Sequence, residues 1–444
     1  MKILKITAFF FTVSLMLACN PVEEPGSKYI SEGPSHVEMR HVDGNYRLFV
    51  NDEEFFVKGA GCEFGPCYLV AAHGGNSIRT WRTDNGQRTG LEVLDEAYEH
   101  GLMVMMGLDV ARERHGFDYD DQESVAAQLE RFRIEVLELK DHPALLGWGI
   151  GNELNLHYTN PAVWDAVNDI ALMIKEVDGN HVVTTMLAGI GPNEVKYIAE
   201  RCPDIDFISV QMYGEIVNLQ QYLDNAGYDG PYLVTEWGAT GHWEMPETEW
   251  GRPIEQTSTE KADAIRYRYE NVILADESNC MGSYVFLWGQ KQERTPSWYG
   301  LFTEAGEKTE AINVMEYFWT GEWPENSAPK MHDIIIEDNG GRFDNVRLEG
   351  GQFYTAIISV EHPDIEGLSV RAEIMPEPEQ LSEGGDFEQR PRSIEGLIVS
   401  AGTSEISFTA PDETGEYRLL VYVTDDSNNA GTANIPFFVE QSID

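Results

Sequence analysis

The chain has 444 residues, 42% of them apolar, and a net charge of −45. Its length exceeds one small domain and suits a large domain joined to a smaller one. The acidity argues against nucleic acid, an anionic membrane surface or a polyanionic substrate as partner, because each would be repelled, and it carries no information about fold.

Lys2 and Lys5 precede an apolar run from Ile6 to Leu17, too short to span a bilayer as a mature helix but suited to a secretory signal. Met16-Leu17-Ala18-Cys19 resembles a bacterial lipobox. That implies a signal over 1–18, acylation of Cys19, and a secreted lipoprotein at the outer membrane facing the cell surface; the alternative is an ordinary signal that happens to contain a cysteine. Residues 19–36, rich in Pro, Glu, Gly and Ser, read as a flexible tether. Of the other cysteines, Cys62, Cys67, Cys202 and Cys280, none fits a zinc pattern. Two disulfides in an oxidising compartment, or buried free thiols, are both compatible with the spacing.

From Phe55 onward, short apolar runs alternate with longer amphipathic stretches. Eight runs read as strands buried on both faces, starting at Phe55, Asn76, Leu102, Leu145, Val182, Phe207, Tyr232 and Ser283. Between them lie helical patterns. Gly90 to His100 carries Leu91, Leu94 and Tyr98 on one stripe and is followed by Gly101, a C-cap residue. Ser124 to Lys140 repeats the pattern, Asn160-Pro161 opens another helix, and Thr259 to Ala275 precedes the last strand. Eight such units predict an α/β fold, a (β/α)₈ TIM barrel over 37–325. A doubly wound sheet is the rival, but no Gly-rich phosphate loop follows the first strand. After a Gly/Pro/Ser linker the texture changes to alternating strands such as Tyr354 to Ile358 and Tyr417 to Val423, separated by turn residues. Residues 328–444 therefore predict a C-terminal immunoglobulin-like β-sandwich, expected to act as a spacer because no aromatic row marks its strands.

Two strand ends carry the chemistry. The fourth finishes Gly151-Asn152-Glu153 and the seventh Thr235-Glu236-Trp237-Gly238. Side chains at the C-terminal ends of barrel strands project into the active site, and the interval of 83 residues leaves room for three βα units, which puts both glutamates at the same mouth. One carboxyl group that gives a proton and one carboxylate that attacks are what glycoside cleavage requires. A lone glutamate after a strand is usually a helix cap or a surface charge; the pair at matched strand ends is not explained that way.

Asn152-Glu153 and Glu236 resemble the signature of clan A glycoside hydrolases over about Val37 to Tyr317. The resemblance implies Glu153 as acid/base, Glu236 as nucleophile, and Asn152 as the residue that holds the sugar 2-hydroxyl. It also implies Arg79 as the cation beside Glu236, Tyr213 as a hydrogen-bond donor to it, and Trp288 as a platform under the sugar. The bland readings are a structural ion pair, a core tyrosine and a packed tryptophan. His115, after the third strand, could contact substrate or be a plain loop histidine. Trp81, Trp237, Trp243 and Trp298 lie where they could stack on sugars or simply pack.

A clan A barrel with one C-terminal sandwich on a surface lipoprotein is similar to glycoside hydrolase family 158, which implies an endo-β-1,3-glucanase acting on laminarin-type β-glucan. The expected partners are thus a polysaccharide and neighbouring glycan-uptake proteins, with no nucleic acid, and with membrane contact only through the anchor. No metal or organic cofactor is implied, and Asp118-Tyr119-Asp120-Asp121 reads as solvated loop. A clan A β-mannanase or other hemicellulase is the alternative enzyme, and a glycan-binding protein on an inactive barrel the alternative class. Against older family 2 enzymes stands the lack of a sugar-binding sandwich ahead of the barrel.

Overall fold

A computed structural model describes residues 27–441. The leader and Cys19 lie outside the described residues. Eight parallel strands close into a barrel: β1 (Val57–Gly61), β2 (Ser77–Arg79), β3 (Met103–Leu108), β4 (Leu145–Asn152), β5 (Val182–Ala188), β6 (Phe207–Gln211), β7 (Tyr232–Gly238) and β8 (Cys280–Phe286). Each is hydrogen-bonded to the next, and β8 closes on β1. A helix follows every strand: α1 (Leu69–Ala72), α2 (Gly90–Glu99), α3 (Gln122–Leu139), α4 (Ala162–Val177), α5 (Pro192–Arg201), α6 (Leu219–Ala226), α7 (Ser258–Arg268) and α8 (Glu310–Thr320). All eight predicted strands are present in their predicted order.

Alternation along the strands separates two cores. Outward side chains such as Ile78, Val104, Val234 and Val285 pack against the helices, while Met103, Met105, Met186, Leu233 and Tyr284 fill the lower half of the lumen. Local signals start and stop the helices. Thr89 and Thr257 form capping boxes with Glu92 and Glu260, and Asp121 caps α3 through the backbone N–H groups of Glu123 and Ser124. The acidic stretch at 118–121 is thus partly structural, and Tyr119 within it is buried with its hydroxyl donating to the Ala111 carbonyl. The stripe on α2 differs from expectation. Val93, Leu94 and Ala97 are buried, whereas Leu91 and Tyr98 face solvent.

The bottom of the barrel is plugged before the first strand begins. Strands Val37–Val42, Asn45–Val50 and Glu53–Phe55 form a three-stranded antiparallel sheet whose Val37, Leu48, Val50 and Phe55 join the lumen core. The tether expected through residue 36 is fastened earlier than that. Tyr29 is buried against Phe55, and buried Ser35 donates to the Leu145 carbonyl at 2.6 Å. Among the described residues no helix is long and apolar enough to cross a membrane.

Beyond α8 the chain forms a β-sandwich. One sheet is built on Ser369–Pro376, Gly415–Thr424 and Asn429–Glu440, the other on Lys330–Ile336, Phe353–Glu361, Glu405–Thr409 and Ile398–Ala401. Ile334, Ile336, Ile374, Phe408, Leu419, Val421, Ile435 and Phe437 fill the space between them. Cys62 and Cys67 form a disulfide just after β1, while Cys202 and Cys280 are buried thiols.

Candidate active site

Both glutamates reach the lumen through irregularities in their strands. Along β4, Ile150 packs outward, and strict alternation would send Asn152 outward too. A register shift falls between Ile150 and Asn152, with Gly151 at φ +73°, and it turns Asn152 inward. Glu153 follows at φ +52°, a left-handed conformation uncommon for a residue with a side chain, held by its own N–H on the Met186 carbonyl at 2.9 Å. In β7 the register shifts between Val234 and Glu236, so that Glu236 faces the lumen while Val234 and Trp237 face the helices.

Glu236 is 7% exposed and receives three hydrogen bonds. Arg79 Nη1 donates to its Oε2 at 3.0 Å, Tyr213 Oη to its Oε1 at 2.7 Å, and Trp81 Nε1 to its Oε2 at 3.3 Å. Arg79, fully buried at the end of β2, also donates to the Thr235 carbonyl at 2.9 Å and to Asn152 Oδ1. Its guanidinium lies 4.7 Å from the Trp81 ring. Burial, reinforced by the Glu236 charge, pushes the Tyr213 hydroxyl well above its ordinary range, so Tyr213 remains a donor.

Loss of solvation first, and the charge of Glu236 second, push the Glu153 carboxyl up to about 8 against the opposing pull of Arg79, Arg114 and Arg112. Gln211, at the end of β6, links the two halves of the site. With its amide oriented to satisfy both ends, its nitrogen donates to Glu153 Oε1 at 2.8 Å and its oxygen accepts from Arg79 Nη2 at 3.0 Å. Asn155 holds the loop after β4 in place, exchanging two hydrogen bonds of 2.9 Å with the backbone of Ala188.

The pair opens into a cavity of about 1060 Å³. Phe286, Tyr213 and Trp243 give it aromatic walls, and Trp243 is 61% exposed. Glu244 ties the loop after β7 to the loop after β6 by accepting from the N–H groups of Gly241, Gly214 and Glu215. The cations in the wall are occupied: Lys291 pairs with Glu293 at 2.6 Å, and Arg268 donates to the Gly238 carbonyl and to Thr240.

Of the residues expected at the site, Glu153, Glu236, Asn152, Arg79, Tyr213 and Trp81 converge on one hydrogen-bonded cluster, and Trp243 stands at its rim. Four expectations are corrected. Trp288 is fully buried between Trp319, Phe302 and His73, with its indole N–H on the Pro66 carbonyl, and does not line the cavity. Phe286, two residues earlier on the lumen side of β8, is the aromatic that faces the cavity. Trp237 is buried and stacks on Tyr269 at 5.6 Å, because its neighbour Glu236 takes the inward position. Trp298 is 1% exposed and donates to the Thr240 carbonyl, which supports the wall without lining it. His115 lies 3.0 Å from Asp386 of the sandwich and is engaged there. Gln211 went unforeseen, although Ser209 and Gln211, polar at alternate positions of a buried strand, are the signal that marks an inward face.

Residues 72–247, which contain both glutamates, match the family of glycosyl hydrolases family 2, TIM barrel domain. The match falls within the closed eight-stranded barrel, spans β2 to β7 in full and covers about two fifths of the chain. No curated protein matches the sequence. Among solved structures, an FMN-binding β-glucuronidase from Faecalibacterium prausnitzii is similar at 15% identity and a TM-score of 0.47, over 92% of this chain and 59% of that one. This chain thus spans about three fifths of that protein's length. A glycoside hydrolase family 5 mannosidase from Rhizomucor miehei aligns at 13% identity and a TM-score of 0.46, over 64% and 97% of the two chains. A β-glucanase from Saccharophagus degradans aligns at 13% and 0.43, over 66% and 95%. These likenesses concern the fold alone.

Proposed function

We propose that the protein is a retaining, endo-acting glycoside hydrolase of β-1,3-glucan, with Glu153 as acid/base and Glu236 as nucleophile. The observation that carries the reading is the electrostatic asymmetry of the pair. Glu153 keeps its proton up to about pH 8, while Glu236 only accepts hydrogen bonds, from Arg79, Tyr213 and Trp81. In the first step the Glu236 carboxylate attacks the anomeric carbon as the bond to the leaving sugar breaks, and Glu153 gives its proton to the departing oxygen. The glycosyl ester removes the negative charge of Glu236, and with it one of the causes that raises Glu153. Glu153, now ionised, takes a proton from water, which attacks the same carbon and releases Glu236. The hydrogen bond from Arg79 that fixes Asn152 beside the two glutamates supports Asn152 as the residue that holds the sugar 2-hydroxyl.

Aromatic walls suit the C–H faces of sugars, and cations already engaged by protein groups suit a neutral glycan rather than a uronate. The β-1,3 linkage rests on the resemblance to family 158. The leader with Cys19 supports a lipid-anchored form at the cell surface, and the Cys62–Cys67 disulfide agrees with an oxidising compartment.

The test is incubation of the chain from residue 27 onward with laminarin, curdlan, lichenan, mannan and xylan, with Glu153→Ala and Glu236→Ala as controls. Mixed-length oligosaccharides from laminarin, released with retained anomeric configuration and absent in both variants, are expected. Release from mannan or xylan instead discards the linkage, and inversion discards the nucleophile.

A further inference from the structure

The sandwich reaches the mouth of the barrel. Between its strands Ser369–Pro376 and Ile398–Ala401, the segment 377–397 contains no helix or strand. A segment of that length without regular structure in a compact domain is usually either functional or a linker. Glu383, Gly384 and Gly385 from this segment line the same cavity as Glu153 and Glu236.

Two arginines from opposite sides of the mouth hold the segment there. Arg114, after β3, donates to the Gly384 carbonyl at 3.1 Å and to Asp386 at 2.8 Å. Arg294, after β8, donates to the Ser382 carbonyl at 3.0 Å and to the buried Glu388 at 2.9 Å, and its backbone N–H reaches Glu388 at 2.7 Å. A buried charge pair of this kind is costly to break, because removing one partner strands the other. Gly384 has φ +56°, and a Cβ there would lie 2.7 Å from Leu156 Cδ2. A side chain there would be strained by the left-handed backbone and would have to displace Leu156, and bare backbone forms the wall. Beside it the Glu383 carboxylate is 69% exposed and lies 3.2 Å from His157, which lines the cavity from the barrel side.

We infer that this loop is a glycan subsite, in which Glu383 and the peptide groups of Gly384 and Gly385 bind hydroxyls of neutral sugar units away from the point of cleavage. The inference rests on the glycosidase reading. Sugar hydroxyls both donate and accept, and this wall offers a carboxylate, carbonyls and N–H groups within a short span. It offers no cation to recruit an anionic group, since Arg114 and Arg294 are engaged by Asp386 and Glu388. Binding of sugar units other than the two at the cleaved bond favours long chains over short ones. Asp386 and Glu388 act as positioning residues, and the sandwich becomes part of the enzyme's specificity rather than a spacer.

The test uses the full described chain with Glu383→Ala and Glu383→Trp, the second to fill the subsite. The readout is the ratio of kcat/KM on the polymer that the wild type cleaves to kcat/KM on a short aryl glycoside. A fall in this ratio of about tenfold in Glu383→Ala and more in Glu383→Trp is expected; an unchanged ratio in both overturns the subsite and leaves the glycosidase standing. Should the wild type cleave no glycan, retardation in native gels containing laminarin replaces the ratio. Weaker retardation of Glu383→Trp then supports the subsite without the hydrolase, and equal retardation, or none for the wild type, overturns it.

Discussion

In the proposed mechanism the first chemical step requires a proton on Glu153, whose carboxyl is held up to about 8 by lost solvation and by Glu236. The acid is therefore present through neutral pH and is lost as pH rises through about 8, so log(kcat/KM) should turn downward there with unit slope. A pH–rate profile checks this. The same shift has a consequence for stability with its own sign. A carboxyl has an ordinary value of about 4.3 in the unfolded chain. Folding thus favours the protonated form, and that contribution is lost as pH climbs from about 4.3 through about 8. Glu153→Gln removes the titration. Its Tm should exceed that of the wild type by an amount that is small at pH 5, grows to pH 8 and then levels off. A gain independent of pH would show that Glu153 is not held neutral by the fold.

Strands and loops assign the aromatic residues their roles. Trp237 and Trp288 are buried on the helix side of the barrel, whereas Trp243 is 61% exposed at the rim. Trp237→Ala and Trp288→Ala should each cost about 3–5 kcal/mol of stability, the usual price of emptying a large core site. Trp243→Ala should leave the denaturation midpoint near that of the wild type and raise KM. Chemical denaturation beside Michaelis kinetics separates the two outcomes. The eight strands were legible because each is a continuous apolar run, and the strand ends were legible because Glu153 and Glu236 follow such runs directly. Facing was less so. One bulged residue reverses every side chain beyond it, and the bulges in β4 and β7 leave no reliable trace in composition. Hence Trp237 reads as a candidate for the cavity, and at the end of β8 it is Phe286 that faces the cavity while Trp288 packs among the helices.

At the scale of the molecule, barrel and sandwich share a buried polar seam. Glu255 pairs with Lys261 and accepts from Asn434 of the sandwich, Arg342 donates to Glu260 at 2.8 Å and to the Glu255 carbonyl at 2.9 Å, and Arg418 donates to the Pro253 carbonyl at 3.0 Å. Burial alone would raise Glu255, but the Lys261 ammonium and the hydrogen bonds around it outweigh burial and hold it below the usual carboxylate range. Domains joined this way should unfold together, as a single calorimetric transition. Lys261→Met, which strands Glu255, should cost about 3–5 kcal/mol and lower barrel and sandwich signals in parallel. Two separated transitions would refute the coupling.

Sequence alone determined the fold class, the order of the strands and the two glutamates at strand ends, because each depends on local periodicity or on position at a strand end, while Asn152 and Arg79 entered through the resemblance to clan A. Tertiary structure alone decided which face each aromatic takes, that Cys62 pairs with Cys67, that residues from Tyr29 onward plug the barrel floor, and that the sandwich loop stands over the cleft. Contacts such as Arg114 with Asp386 and Arg294 with Glu388 join residues far apart in the chain. The second pair is buried and the first half-exposed, and both exist only once the two domains are folded, so no local pattern announces them.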